Sequence, residues 1–298
     1  MLEFKTIKID DIDWYKEIAE KANLDQPRIN LDSPFGSNYI WSSFYGIKIC
    51  RFDDYILKGY FYDDGTTSFA FPLGTGDIEK ALRAVEEYSL ENNIPLCFGG
   101  VTKEQCEIIN SVFGGRFNFA GNRDYYEYIY ESEALATLKG RRLHSKRNHL
   151  NRFEQNYDYV FEPIGSGNKG DALDVARRWC AETSGTESLI HENCAIKKSL
   201  EDFEKLGFKG AIIKIDGKPA AMTIGERISD KAFVIHFEKA LGGFDGLYTA
   251  INCYFARTLT GYTYINREED MGIEGLRRSK LSYKPAILLE QFEGEENA

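Results

Sequence analysis

Between Ile47 and Phe71 apolar and polar side chains alternate in three short runs, Ile47–Phe52, Tyr55–Tyr62 and Thr66–Phe71. A period of two turns every second side chain to one face, so these runs predict three strands with one face against a core. Asp53-Asp54 and Asp63-Asp64-Gly65 separate them and are residue types that turn a hairpin. The period then changes. Ile78, Leu82, Val85 and Leu90 recur near helical spacing behind Asp77, an N-cap residue type, and Asn92-Asn93 with Pro95 ends the run. Around this block the pattern predicts an opening strand at Glu3–Ile9, a helix from Ile12 to Ala22, a short buried strand at Pro95–Phe98 and a helix at Lys103–Phe113. Two further strands are expected, near Phe117 and at Tyr125–Tyr130.

The same order returns later. Gly210–Ile215, Ala220–Ile228 and Ala232–Lys239 read as a meander turned by Asp216-Gly217-Lys218 and Ser229-Asp230. A glycine-rich stretch then leads into a helix, Leu247–Leu259, and a strand, Tyr262–Asn266. Between the two blocks lie a helical stretch Glu133–Arg152, a strand at Tyr159–Glu162, a loop Pro163–Gly170 and helices at Asp171–Glu182 and Glu201–Leu206. The polar tail Gly294–Ala298 is expected to fray. What repeats is element order, not residue identity. It predicts an α+β (mixed α/β) chain of two tandem domains, 1–130 and 131–298, each a mostly antiparallel sheet flanked by helices.

A chain of 298 residues, 43% hydrophobic, can fill two such cores. Its net charge of −10 gives no global attraction for nucleic acid or anionic lipid, so an anionic partner must meet a local basic patch. No apolar stretch approaches the ~20 residues that span a bilayer, and the opening residues lack the apolar core of a signal peptide. The expectation is a cytoplasmic protein without an integral membrane segment. The six cysteines show no CxxC spacing and read as free, mostly buried thiols; no zinc pattern is present. His191 and Cys194, near the Thr183–Ser188 loop, read as a loop histidine and a buried thiol, since no oxyanion element accompanies them.

One segment departs from the acidic background. Lys139, Arg141, Arg142, Lys146, Arg147 and Arg152 fall within Lys139–Arg152 with no acidic residue among them. On a helix beginning at Ser145, Arg142, Lys146 and His149 share a face that suits phosphate, as in a tRNA acceptor stem, a nucleotide or a lipid headgroup. The alternative is a solvated helix whose charges pair with Glu131, Glu133 and Glu154. Lys146 and Arg147 are the candidate anion contacts.

The strand–loop–helix junction at Phe233–Leu259 offers a second candidate. Gly242, Gly243 and Gly246 precede a helix start, where unpaired N–H groups and the dipole attract anions and glycine lets a phosphate approach. The junction resembles that of the GNAT acyltransferase superfamily, which implies a coenzyme A pyrophosphate on the loop, a splayed strand before it and a backbone N–H polarising the thioester carbonyl. The usual Q/R-x-x-G-x-G/A spacing is not reproduced, and a plain glycine turn is the competing reading. His236 and Glu238 lie two apart on that strand and are expected to share a face, with Glu238 as a candidate general base and His236 orienting it.

Two stretches go further. Tyr125–Tyr157 contains L-K-G-R-x-L-H-x-K-R-N-H, and Tyr264–Pro285 contains N-R-E-x-D-x-G-x-x-x-L-R-x-x-K-x-S-Y-x-P. Together they resemble the phosphatidylglycerol lysyltransferase C-terminal-domain-like family across nearly the whole chain. The resemblance implies a tandem GNAT fold akin to transferases that use aminoacyl-tRNA. It also implies an acidic, arginine and lysine set near the C-terminus, which places Arg277 and Lys280 at matching positions with Asp270 and Glu274 upstream, and Asn266 ends the preceding strand. Arg277 can clamp a phosphate or carboxylate bidentately, Lys280 follows it at helical spacing, and Glu269 and Asp270 can hold an α-ammonium. An exposed ion-pair network is the bland alternative.

These readings converge on an acyl- or aminoacyl-transferase acting on an amine or hydroxyl, with no tightly bound cofactor. The donor is expected to be aminoacyl-tRNA or acyl-CoA, and the acceptor a small molecule or a lipid headgroup. An acetyl-CoA-dependent N-acetyltransferase and a non-catalytic ligand sensor on the same fold are the competing functions.

Overall fold

The computed structural model describes residues 2–183 and 187–297. Contacts divide the chain into two compact units. The first comprises Met1–Glu127, Glu269–Glu274 and Leu288–Ala298; the second comprises Tyr128–Glu268 and Gly275–Ile287. The main division falls between Glu127 and Tyr128, and the last eleven residues rejoin the first unit.

In the first unit the sheet order is Lys5–Thr6, Ile47–Phe52, Tyr55–Phe61, Thr67–Phe69, Phe98–Val101, Phe292–Glu296 and Phe117–Gly121, with Leu73–Gly74 added beside Tyr55–Phe61. Gly294–Glu296, within the tail that looked frayed, is therefore strand. Its residues pair antiparallel with Phe117–Gly121 on one side and with Phe98–Val101 on the other. Alternation along the strands buries Tyr55, Leu57, Phe69, Phe98 and Phe117 against Leu82 and Val85 of the helix Ile78–Glu91 and Ile109 of the helix Lys103–Val112. Asp77 caps the first of these helices by accepting the Lys80 amide at 3.1 Å, and a Thr102–Gln105 capping box starts the second.

In the second unit the order is Ile287–Leu289, Glu127–Glu131, Tyr264–Asn266, Ala232–Ala240, Lys218–Arg227, Lys209–Ile215 and Tyr159–Pro163. The expected meander is present and antiparallel. Ala232–Ala240 then runs parallel to Tyr264–Asn266, a pairing that needs a crossover, here the helix Leu247–Thr258. The parallel pairing is confined to Ala232–Val234. It stops there because the partner strand ends at Asn266. The expected helix Glu133–Arg152 is broken in two, Ser132–Thr137 and His144–Asn156, because Leu138 (φ +51) and Gly140 (φ +87) take left-handed conformations that no helix continues through.

Candidate functional site

Side chains beyond the last paired positions of these two strands meet one another. Arg267 comes directly after the strand Tyr264–Asn266, and its Nη2 donates to Glu238 Oε1 at 2.8 Å. Asn252, on the crossover helix, donates through Nδ2 to Glu238 Oε2 at 3.0 Å. Both carboxylate oxygens are thus engaged. The pair is buried, with side-chain exposures of 11% for Arg267 and 8% for Glu238. Burial pushes the Arg267 pKa down, but the Glu238 charge and hydrogen bond together with the Tyr130 and Tyr283 hydroxyls hold it raised. Two aromatic rings pack against it, with the Tyr283 centroid 4.9 Å and the Tyr130 centroid 5.7 Å from Cζ.

Three buried polar atoms beside this pair have no hydrogen-bond partner: Arg267 Nη1, Asn252 Oδ1 and Thr223 Oγ1. Thr223 stands directly across from Glu238 in the ladder and so shares its face of the sheet. A donor and two acceptors, buried and unsatisfied around one carboxylate, mark a place where a polar ligand or ordered water completes the bonding. Lys146, on the helix His144–Asn156, joins the cluster from another side. Its Nζ lies 4.0 Å from the Tyr283 ring centroid. Burial and the Arg267 charge push its pKa down to about 8, against a smaller upward pull from Glu238.

The sequence-derived candidates are distributed otherwise than expected. His236 does not touch Glu238. The ladder places Thr223 opposite Glu238 and Ile224 opposite Phe237, but Gly225 opposite Ile235, so His236 is an extra residue and the alternation slips. His236 instead reaches Glu226, which lies three residues from Thr223 and hence on the other face. Its Nε2 is 3.0 Å from Glu226 Oε1 and its Nδ1 2.8 Å from Glu268 Oε1. Burial opposes the imidazolium, but the two carboxylates prevail and raise its pKa to about 9.

Asp270 lies in the first unit, where it is fully buried and pairs with Arg123 at 3.2 Å while accepting the Gly272 amide. Asn266 is fully buried, and its Oδ1 accepts the Glu268 amide at 2.7 Å, supporting the left-handed Glu268 (φ +57). Lys280 is 7% exposed, and its ammonium donates to the Arg267 carbonyl at 2.6 Å. It braces the segment that carries Arg267. Arg277 is half-buried on the helix Glu274–Ser282.

At the glycine junction, the Gly242 amide donates to Glu182 Oε2 at 2.9 Å, so a carboxylate of the chain occupies that N–H. Gly246 (φ +83) is packed so closely on the helix His144–Asn156 that an added Cβ would lie 2.2 Å from the His149 carbonyl oxygen. Gly243 (φ +86) has open space around it. In the basic segment Arg147 is committed to the backbone, donating to the carbonyls of Leu138 and Gly140 where the helix breaks. Arg152 and His149 pair with Asp245. Arg141 and Arg142 are exposed and, among the described residues, form no ion pair. His191 and Cys194 lie on the helix Glu187–Glu201; Cys194 is exposed rather than buried, and residues 184–186 of the intended loop lie outside the described residues.

Sequence reasoning missed Arg267, Asn252 and Thr223. Asn252 carried a signal: it is a polar residue inside an otherwise apolar helical run, where burial demands a partner. Arg267 stood inside the N-R-E-x-D motif, beside the residues that were chosen.

Comparison with known proteins finds this architecture in solved structures and assigns the chain to a family. The family model described as "Phosphatidylglycerol lysyltransferase, C-terminal" matches residues 27–292. A conserved protein of unknown function from Bacteroides thetaiotaomicron superposes with a TM-score of 0.93 at 34% identity, covering 100% of both chains. The L-PGS structure from Bacillus licheniformis superposes with a TM-score of 0.67 at 14% identity, covering 93% of this chain and 90% of that one, a likeness of fold. An uncharacterised protein of Mycoplasmoides gallisepticum is 26% identical over 172 residues, 55% of this chain and 54% of that protein, so the match spans about half the length of this curated relative. Among the described residues no helix is long and apolar enough to cross a membrane.

Proposed function

Because the chain belongs to the phosphatidylglycerol lysyltransferase C-terminal family, we propose that it is an acyl- or aminoacyl-transferase of the lysylphosphatidylglycerol-synthase and Fem type. The reaction takes place at the Glu238–Arg267 pair in the second unit. The supporting observation is the convergence of unsatisfied buried groups there. Arg267 Nη1 is a charged donor able to bind a carbonyl oxygen and stabilise the negative charge it acquires on attack. Asn252 Oδ1 and Thr223 Oγ1 are acceptors for the N–H or O–H of an amine or hydroxyl. A carbonyl and a nucleophile held side by side are what acyl transfer requires.

An aminoacyl ester such as aminoacyl-tRNA is favoured over coenzyme A as donor. Glu182 holds the Gly242 amide and the His149 carbonyl closes the space beside Gly246, so the loop has no open phosphate cradle of the GNAT kind. Arg141 and Arg142 remain to meet a polyanion. The acceptor is a small molecule or a lipid headgroup bearing an amine or hydroxyl.

The test is a donor comparison. Purified protein is given tRNA charged with radiolabelled amino acids, or labelled acetyl-CoA, in the presence of pooled amine and hydroxyl acceptors. Loss of label from tRNA into an acceptor, suppressed by salt and about 100-fold slower in Glu238→Gln, supports the proposal. Turnover of acetyl-CoA with tRNA inert overturns the donor assignment. No turnover of either donor contradicts the transferase reading.

A further inference from the structure

Acyl transfer needs a group that accepts the proton of the attacking amine or hydroxyl, and the geometry around Glu238 narrows the choice. Glu238 itself has both oxygens occupied, by Arg267 and Asn252. His236 is on the opposite face of the sheet with both ring nitrogens bound to carboxylates. The Tyr283 hydroxyl is turned to Thr249, and burial raises its pKa to about 12, which keeps it protonated. The Lys280 ammonium is spent on the Arg267 carbonyl. Lys146 differs from all of these. Among the described residues its ammonium has no carboxylate within ion-pair distance and no hydrogen-bond acceptor, and its polar end rests against the ring of Tyr283. Arg267 stacks on the same ring. The ring attracts both cations, but an ammonium buried beside the Arg267 charge with no carboxylate bonded to it gains by giving up its proton.

We infer that Lys146 is the proton acceptor of the transfer reaction, a catalytic role distinct from the anion contact expected of it. This rests on the transferase reading above. In the step, the acceptor's nitrogen or oxygen forms a bond to the donor's carbonyl carbon while its proton passes to the neutral Lys146 Nζ. The bond from that carbon to the departing oxygen then breaks, and the Lys146 ammonium returns the proton to that oxygen. No electrons are exchanged and no further reactant is consumed.

The groups facing Lys146 bear this out. From the sheet these are Arg267 and Glu238, and from the C-terminal segment Tyr283. On its own helix, Arg147 holds backbone carbonyls, while His149 and Arg152 are paired with Asp245. The balance lowers the Lys146 pKa to about 8, which leaves a substantial neutral fraction near neutrality, where an ordinary lysine has almost none.

Two measurements test this. First, competitive labelling of the folded wild-type protein with acetic anhydride across a pH series, read lysine by lysine by mass spectrometry, gives each ammonium's titration. Lys146 is expected to titrate near 8 and to move upward in Arg267→Met. Titration near an ordinary lysine value, or indifference to Arg267→Met, overturns the proposal even if transfer is robust. Second, Lys146→Met and Lys146→Arg are compared in transfer. Both should lose about 100-fold or more in kcat with little change in KM for donor, since arginine keeps the charge but does not release its proton. Activity in Lys146→Arg within about threefold of wild type would assign Lys146 to charge alone and overturn the inference. A Lys146 that titrates near 8 in a protein that transfers nothing counts against the transferase reading instead.

Discussion

His236 and Glu238 stand two residues apart on one strand and face opposite sides of the sheet, because the ladder slips by one residue between them. The slip creates two separate buried charge clusters. On one face an imidazolium lies between Glu226 and Glu268; on the other, Glu238 meets Arg267, Asn252 and the unsatisfied Thr223 hydroxyl. Among the described residues, the second cluster holds buried side-chain atoms without a hydrogen-bond partner.

The first cluster predicts a pH dependence of stability. The folded pKa of His236 is raised to about 9 from 6.5, so its contribution is fully present below pH 6.5 and disappears as pH rises through 9. The difference corresponds to roughly 3 kcal/mol. Denaturant unfolding between these pH values should show the loss in wild type and little of it in His236→Gln. An equal loss in both proteins would place its origin elsewhere.

The second cluster predicts strong coupling. Arg267→Met leaves Glu238 buried without its cation and should cost about 3–5 kcal/mol. Glu238→Gln strands the guanidinium but retains an acceptor oxygen, and should cost less. The double variant should recover part of the summed loss in a mutant cycle read by urea unfolding. Simple additivity would show that the 2.8 Å contact carries little energy.

The glycines separate a structural role from a ligand-binding one. Gly246→Ala forces a Cβ against the His149 carbonyl in a left-handed conformation and should destabilise the fold by more than about 2 kcal/mol. Gly243→Ala meets open space and carries only the conformational cost, about 1 kcal/mol. Thermal unfolding of the two variants distinguishes these outcomes; equal effects would mean that the packing against His149 yields without cost.

Much of this was legible in the sequence. Period-two runs and turn residues located both meanders, and the change to helical spacing located the helices that cross them. What escaped has physical causes. The strand Phe292–Glu296 is made largely of acidic and small residues and exists because Phe117–Gly121 and Phe98–Val101 lie ready to pair with it, a long-range effect no local pattern records. The slip at His236 leaves no trace in residue type, so a period of two put His236 and Glu238 on one face. Asp270 and Arg277 were chosen as charged residues in a specific motif, but whether a charge is spent on a neighbour depends on tertiary contacts. Asp270 is spent on Arg123, and Lys280 on a backbone carbonyl.

The central claim is that the unsatisfied groups beside Glu238 receive the reacting carbonyl. A crystal structure with an amide-linked, non-hydrolysable aminoacyl-adenosine measures this most directly. The account predicts the amide oxygen within hydrogen-bonding distance of Arg267 Nη1, with a polar N–H of the ligand on Asn252 Oδ1 or Thr223 Oγ1. A ligand seated on Gly242–Gly246, with the Arg267 guanidinium still unsatisfied, would contradict it.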